Sequence, residues 1–369
     1  MQIAFVLPGL HRVTRGAEVA FEAIAQELGQ RAEVDVTLFG SGQQRAGASY
    51  SFQHVDNIER ESFERWPRFP ILRSEYAYEE LTFVVGLLNS YRPEDFDLTV
   101  TCSYPFLNWF LRWWGGRQRP AHVFVTQNGD YPAISNNSEY RFFGCDGLIC
   151  TNPEYLERNQ DRWRCTLITN GVDPDVFKPG PGDRQAFDLP ADVPVVLMVS
   201  ALIPSKRIAE GIQFVSKISD AHLVVCGDGP ERESIQTLGS QLMPGRFHLK
   251  RLSYEQMPLI YQTADCLLHL SLDEPFGNIY LEALASEMPI VSHNREVTGW
   301  ILEDTSILVD TLDEAKAING IKSGLNSKST EKSQARRSLA VNRFSWQSLG
   351  QQYFEFFKDV LENFDSKKK

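Results

Sequence analysis

The sequence predicts an α/β protein built from two Rossmann-like domains, each a doubly wound parallel sheet, and three observations carry that prediction. Short β-rich runs alternate with amphipathic stretches along the whole chain, the trace that strand–helix–strand units leave in a sequence. The alternation halts at a turn-rich stretch, residues 170–183 (NGVDPDVFKPGPGD), and then restarts. The 369 residues are too many for one ordinary core and suit two domains of roughly 150 to 200 residues each.

The first half opens with QIAFVL, a helix from about Ala17 to Leu28 and VDVTLF, and continues through DLTVTC, AHVFVT, DGLICT and TLITN. The second half reads VPVVLMVSAL, HLVVCG, RFHLKRL, DCLLHLS, PIVSH and SILVD. The expected domains are therefore residues 1–178 and 184–345, joined by a Pro/Gly linker. The last amphipathic run, residues 346–364, sets Leu349, Tyr353, Phe357 and Val360 on one face at helical spacing, so it should dock on a sheet. Ligands of doubly wound sheets bind at the carboxyl ends of the strands, and two such sheets facing each other make an interdomain cleft the expected active site.

Composition narrows the partners. A net charge of −11 argues against nucleic acid, since phosphate-backbone binding needs a basic surface. Six cysteines show no CxxC or Cys/His ligand spacing and read as reduced thiols of a cytoplasmic protein, with no metal site expected. The start MQIAFVLPGL lacks the basic flank and long apolar core of a signal peptide, and no run approaches 18 apolar residues, so membrane contact is expected to be peripheral at most. The only pure charge run, Lys367 to Lys369, is expected to fray.

Four loops at strand ends carry the chemistry. PGLHRVTRGAE leads from the first strand into a helix; Gly16 at its entry lets backbone amides approach an anion, with Arg12 and Arg15 nearby, although an ordinary β–α turn fits equally. The GxGxxG of a dinucleotide site is absent. VVLMVSALIPSKRI ends a strand with Lys206 and Arg207, two cations able to neutralise a diphosphate, or a solvated basic turn. VVCGDGPER offers Gly227 and Gly229 with no third glycine, a weak nucleotide signal. EPFGNIYLEALA puts Phe276, Gly277 and Asn278 at a helix start, where about four amides lack intrahelical partners. Glu274 precedes that helix, and Glu282, one turn inside it, suits a vicinal diol such as ribose, unless Glu274 merely caps the helix and Glu282 lies on a solvated face.

Taken together, GAE, NGVD, the SALxPxK loop, GDGPER, ADCLLHLSLDEPFGNIYLEALA, PIVS and the closing FSW resemble the retaining family 4 glycosyltransferases of the GT-B fold over nearly the whole chain. The resemblance implies transfer of a sugar from a nucleoside diphosphate donor, a UDP- or GDP-sugar, to a hydroxyl of a saccharide or lipid-linked acceptor, with retention and without a metal or other cofactor. By position, Glu282 would bind the ribose hydroxyls and Glu274 would sit at the donor sugar. The amides of Phe276, Gly277 and Asn278 would hold sugar hydroxyls, Lys206 would bind the diphosphate, and Gly16 would lie beside it. The C-terminal helix would return to the N-terminal domain, which would hold the acceptor.

The chain departs from that family at three places. Ala201 stands where an Arg usually supplies a second diphosphate ligand, so Arg207, or Arg12 and Arg15, would compensate. Asn128 in TQNGD stands where many members have a His that contacts the donor sugar. Glu287 replaces the usual small residue after the EAxA element. These changes leave room for a nucleotide-sugar epimerase of the same fold, or a nucleotide-sugar binding protein with weakened catalysis. Two stretches interleave aromatics and cations, around Trp66, Arg68, Phe69 and Arg73 and around Trp109, Arg112, Trp113 and Trp114. They suit a membrane interface, although the four-residue spacing of Trp109 with Trp113 and of Phe110 with Trp114 also fits a helix core.

Overall fold

The computed structural model describes residues 1–327 and 329–368, the side chains of Tyr131, Lys367 and Lys368 excepted. The side chains of the terminal lysine run thus lie outside the described residues. The chain divides into two compact units, Met1–Asn170 with Trp346–Lys369, and Gly171–Ser345.

Among the described residues, the first unit has a seven-stranded parallel sheet in the order β3-β2-β1-β4-β5-β6-β7. Its strands are β1 (Gln2–Val6), β2 (Asp35–Gly40), β3 (Ser51–His54), β4 (Leu98–Thr101), β5 (Ala121–Val125), β6 (Gly147–Cys150) and β7 (Cys165–Leu167). The helix Gly16–Leu28 buries Ala17, Ala20, Phe21, Ile24 and Leu28, a stripe at i, i+3, i+4 and i+7. Phe21 meets Phe5 of β1 edge-on at 5.3 Å, and Phe357 of the helix Trp346–Lys368 lies 6.3 Å from the same ring. The expected stripe of that last helix, Leu349, Tyr353, Phe357 and Val360, is buried in this core. A Cβ on Gly147 of β6 would stand 2.5 Å from Val360, so only glycine lets the helix come this close to the sheet.

The second unit has six described strands, all parallel, in the order β10-β9-β8-β11-β12-β13. They are β8 (Val195–Val199), β9 (His222–Cys226), β10 (Phe247–Lys250), β11 (Cys266–His269), β12 (Ile290–His293) and β13 (Ile307–Val309). Strand order reverses between β8 and β11, which pair through Cys266 with Val196 and Leu267 with Leu197. The loops leaving those two strands therefore diverge over the switch point, where open α/β sheets bind ligands.

The unit boundary falls earlier than the sequence led one to expect. Val172 and Phe177, read as the end of the first domain, are buried in the core of the second. The Val172 amide bonds the Phe344 carbonyl at 2.8 Å, and Arg337 donates to the carbonyls of Phe177 and Pro174. GVDPDVFKP, residues 171–179, is thus an integral arm of the second unit, not a free linker. The expectation also lacked β3, a four-residue edge strand with mostly exposed side chains and so no apolar alternation to reveal it.

Candidate active site

The switch point of the second unit carries the candidate site. β8 runs out through Ser200–Ile203 into the one-turn helix Pro204–Lys206. The loop after β9 clamps this segment. The Leu202 amide bonds the Asp228 carbonyl at 2.9 Å, and the Glu231 amide bonds the Leu202 carbonyl at 3.1 Å. Gly227 makes the clamp possible, because a Cβ there would lie 1.9 Å from the Ser200 carbonyl oxygen. Its place in the site is to seat the Lys206 loop.

Glu274 leaves β11 within the same switch point. Lys206 Nζ donates to Glu274 Oε2 at 2.6 Å, and His269 Nε2, at the end of β11, lies 3.1 Å from the same oxygen. Arg295, after β12, donates to the Glu274 backbone carbonyl at 3.1 Å and pairs with Asp273 at 3.3 Å. Burial would raise the Glu274 pKa, but the hydrogen bond and charge of His269, joined by Lys206, outweigh it and hold the carboxyl down to about 2. Glu274 is therefore ionised throughout the physiological range.

Gly277 follows in the left-handed region at φ 76° and opens the helix Asn278–Ala285. A side chain there would meet the Tyr280 ring at 2.8 Å and Glu274 Cγ at 3.0 Å, so glycine is required twice over. Phe276 turns its ring into the core, edge-on to Phe344 at 6.2 Å, and contributes backbone alone to the helix start. Amides at that start, Asn278 among them, carry the positive end of the helix dipole. One turn on, Glu282 accepts a 2.7 Å hydrogen bond from the Tyr261 hydroxyl. Burial pushes the Glu282 carboxyl up to about 7, against the pull of that hydrogen bond.

Arg207, expected beside Lys206 as a second phosphate cation, is turned into the fold instead. Its guanidinium donates to the Leu270 carbonyl at 3.2 Å and to Thr311 Oγ1 at 3.0 Å, and it pairs with Glu210 at 3.1 Å. The backbone at Arg207 lies in the left-handed region, at φ 54°. Arg12 is likewise committed, to the buried carboxylate of Glu79 and to Ser41 Oγ at 2.9 Å, and Arg15 faces Glu61 at 3.9 Å. Arg207 and Arg12 are thus held by partners within their own units.

Gly16 and Asn128 belong to the first unit. Gly16 begins the helix after β1 and is exposed. Asn128 follows β5, exposed, with Nδ2 3.4 Å from the Cys102 carbonyl oxygen. Sequence reasoning overlooked His269, Tyr261 and Arg295. His269 had a signal: it is the one imidazole inside the apolar run CLLHL. Tyr261 and Arg295 sit in stretches with no recognisable motif.

Residues 181–340 match the family model of glycosyl transferases group 1. LpsE of Rhizobium meliloti, a lipopolysaccharide core biosynthesis glycosyltransferase, is 27% identical over 238 residues, 63% of this chain and 68% of that protein. The D-inositol 3-phosphate glycosyltransferase of Mycolicibacterium smegmatis is 31% identical over 144 residues, 36% of this chain and 33% of that one. Among solved structures, sucrose-phosphate synthase of Thermosynechococcus elongatus superposes with a TM-score of 0.78 at 19% identity, covering 98% of this chain and 99% of that one. HepE of Anabaena, in complex with UDP-glucose, does so with a TM-score of 0.75 at 17% identity, covering 97% and 100%. The fold is GT-B and the protein is a glycosyltransferase. Its second unit carries the glycosyl transferases group 1 domain.

Proposed function

We propose that the protein is a retaining glycosyltransferase of family 4 type, moving a sugar from a UDP- or GDP-sugar to a hydroxyl of a saccharide or lipid-linked acceptor. The observation that carries this reading is the convergence of Lys206, ionised Glu274 and the start of the helix Asn278–Ala285 at one switch point, with Glu282 one turn further. That HepE was solved with UDP-glucose supports a nucleotide-sugar donor here.

The charges of Glu274 and Glu282 alone would also fit the acid and nucleophile of a glycosidase. The surroundings favour transfer. Glu274 Oε2 is held by Lys206 and His269, and the cation and helix-start amides suit an anionic leaving group that needs no general acid. In the proposed reaction the bond from the anomeric carbon to the diphosphate oxygen breaks and the acceptor oxygen bonds that carbon from the same face. The acceptor proton passes to a donor phosphate oxygen. Lys206 stabilises the departing diphosphate, Glu274 orients the sugar, Glu282 accepts hydrogen bonds from the ribose hydroxyls, and no metal is assigned. Gly16 and Asn128 are proposed as backbone and side-chain contacts of diphosphate and sugar.

The protein is proposed to work in the cytoplasm with peripheral contact to a membrane. Among the described residues no helix is long and apolar enough to cross one. Trp66, Phe69, Trp113, Trp114 and Phe142 are exposed on the first unit, and the stretch 105–119 carries Arg112, Arg117 and Arg119 with no acidic residue. Co-sedimentation with anionic vesicles tests this; failure to bind them rejects it.

A thermal-shift panel of UDP-, GDP- and ADP-sugars tests the donor assignment, because a ligand of the folded state alone raises the melting temperature. A rise with one base and none with the others is expected. No response to any donor would reject the reading.

A further inference from the structure

Lys206 and Glu274, the two side chains assigned to opposite ends of the donor, are bonded to each other. The 2.6 Å contact neutralises the cation that should receive the diphosphate and ties up one oxygen of the carboxylate that should receive the sugar. The two partners are held very differently. Lys206 reaches the contact on a flexible four-carbon stem from a one-turn helix. Glu274 is held at two points besides: His269 Nε2 lies on Oε2 at 3.1 Å, and Arg295 donates to its backbone carbonyl at 3.1 Å. His269 is itself immobile. It is buried, its ring stands edge-on to Tyr280 at 5.3 Å, and the Tyr280 hydroxyl is locked to Ser292 Oγ at 2.7 Å.

We propose, on the basis of the function assigned above, that the Lys206–Glu274 ion pair is a latch which the donor diphosphate opens, and that His269 is the positioning residue holding Glu274 once Lys206 has left it. A diphosphate outbids a single carboxylate for the ammonium through its greater charge. Lys206 swings to the phosphate oxygens while Glu274 stays on His269 and turns its unshared oxygen to a sugar hydroxyl. A nucleoside diphosphate without a sugar opens the latch but gains nothing from the released carboxylate. Glu274 therefore works against the nucleotide and for the sugar, which favours product departure and full donor retention.

Calorimetric titration of the full chain with UDP and GDP, each alone, tests the latch. Wild-type protein binding neither nucleotide would count against the assigned function itself. Given binding, Glu274→Gln should take up the nucleoside diphosphate about tenfold more tightly, because Lys206 is then free. In a Lys206→Ala background the same Glu274→Gln change should gain little. Equal or weaker binding by Glu274→Gln overturns the latch, and so does an undiminished gain without Lys206, which would mark simple charge repulsion. For His269, Ala should lower kcat while leaving affinity for the bare nucleotide unchanged, and Gln, whose amide reaches the Nε2 position, should restore most of the rate. An Ala variant with wild-type kcat, or a Gln variant no better than Ala, overturns the positioning role.

Discussion

The Tyr261 hydroxyl donates to Glu282 Oε2 at 2.7 Å, the contact that orients a carboxyl whose pKa burial has pushed up to about 7. A raised carboxyl pKa favours the protonated folded form. The stability it contributes is full below the ordinary value of 4.5 and is lost as the pH rises through about 7. Glu282→Gln should therefore melt above wild type at pH 8, and the gap should close by pH 5. Melting curves across that range check it.

The same titration governs binding. In its proposed role the carboxylate accepts hydrogen bonds from both ribose hydroxyls, whereas the protonated acid must give up one acceptor position. The donor KM of wild type should rise as the pH falls below about 7, and Glu282→Gln should start from a high KM and show no such limb. Steady-state rates with varied donor from pH 5.5 to 8.5 read both.

Glu80 is buried in the first unit, and its Oε1 accepts the Leu107 amide at 2.9 Å, closing the start of the helix Phe106–Trp113. Burial raises its pKa to about 8, so its contribution to stability fades as the pH rises through that value. Glu80→Ala strands the Leu107 amide and should cost about 1 to 3 kcal/mol in urea unfolding at pH 7. Glu80→Gln keeps the acceptor and should overtake wild type at pH 9.

Gly147→Ala drives a methyl group to within 2.5 Å of Val360 and should cost about 1 to 3 kcal/mol by overpacking. Adding Val360→Ala should recover part of that loss. A double-mutant cycle with no coupling would mean that the last helix does not press on β6 as the structure has it.

Gly227→Ala should act at a distance. Its Cβ would collide with the Ser200 carbonyl, a backbone atom that cannot step aside without moving the whole Lys206 loop. Turnover should fall by at least tenfold, well beyond any effect on donor affinity, because the role proposed for Lys206 is to serve the leaving group.

Parts of this molecule were legible in the sequence for identifiable reasons. The buried strands of both sheets are near-continuous apolar runs, and the last helix shows its stripe in Leu349, Tyr353, Phe357 and Val360. EPFGNIYLEALA carries its glycine and two carboxylates at fixed offsets within one segment. What the sequence hid depends on contacts between distant segments. Arg207 looked like a phosphate ligand because it adjoins Lys206, yet Thr311, 104 residues away, holds the guanidinium elsewhere. Tyr261 meets Glu282 across 21 residues, and Val172 joins the second core by pairing with residues next to Ser345. β3 shows no apolar pattern because most of its side chains face solvent.

The most direct test of the central claim is the steady-state release of nucleoside diphosphate from UDP- and GDP-sugars by wild type, Lys206→Ala and Glu282→Ala. Wild type should release nucleotide from one of them. Lys206→Ala should cut kcat by at least tenfold with little change in donor KM, and Glu282→Ala should mainly raise that KM. Unchanged turnover in Lys206→Ala would contradict the account.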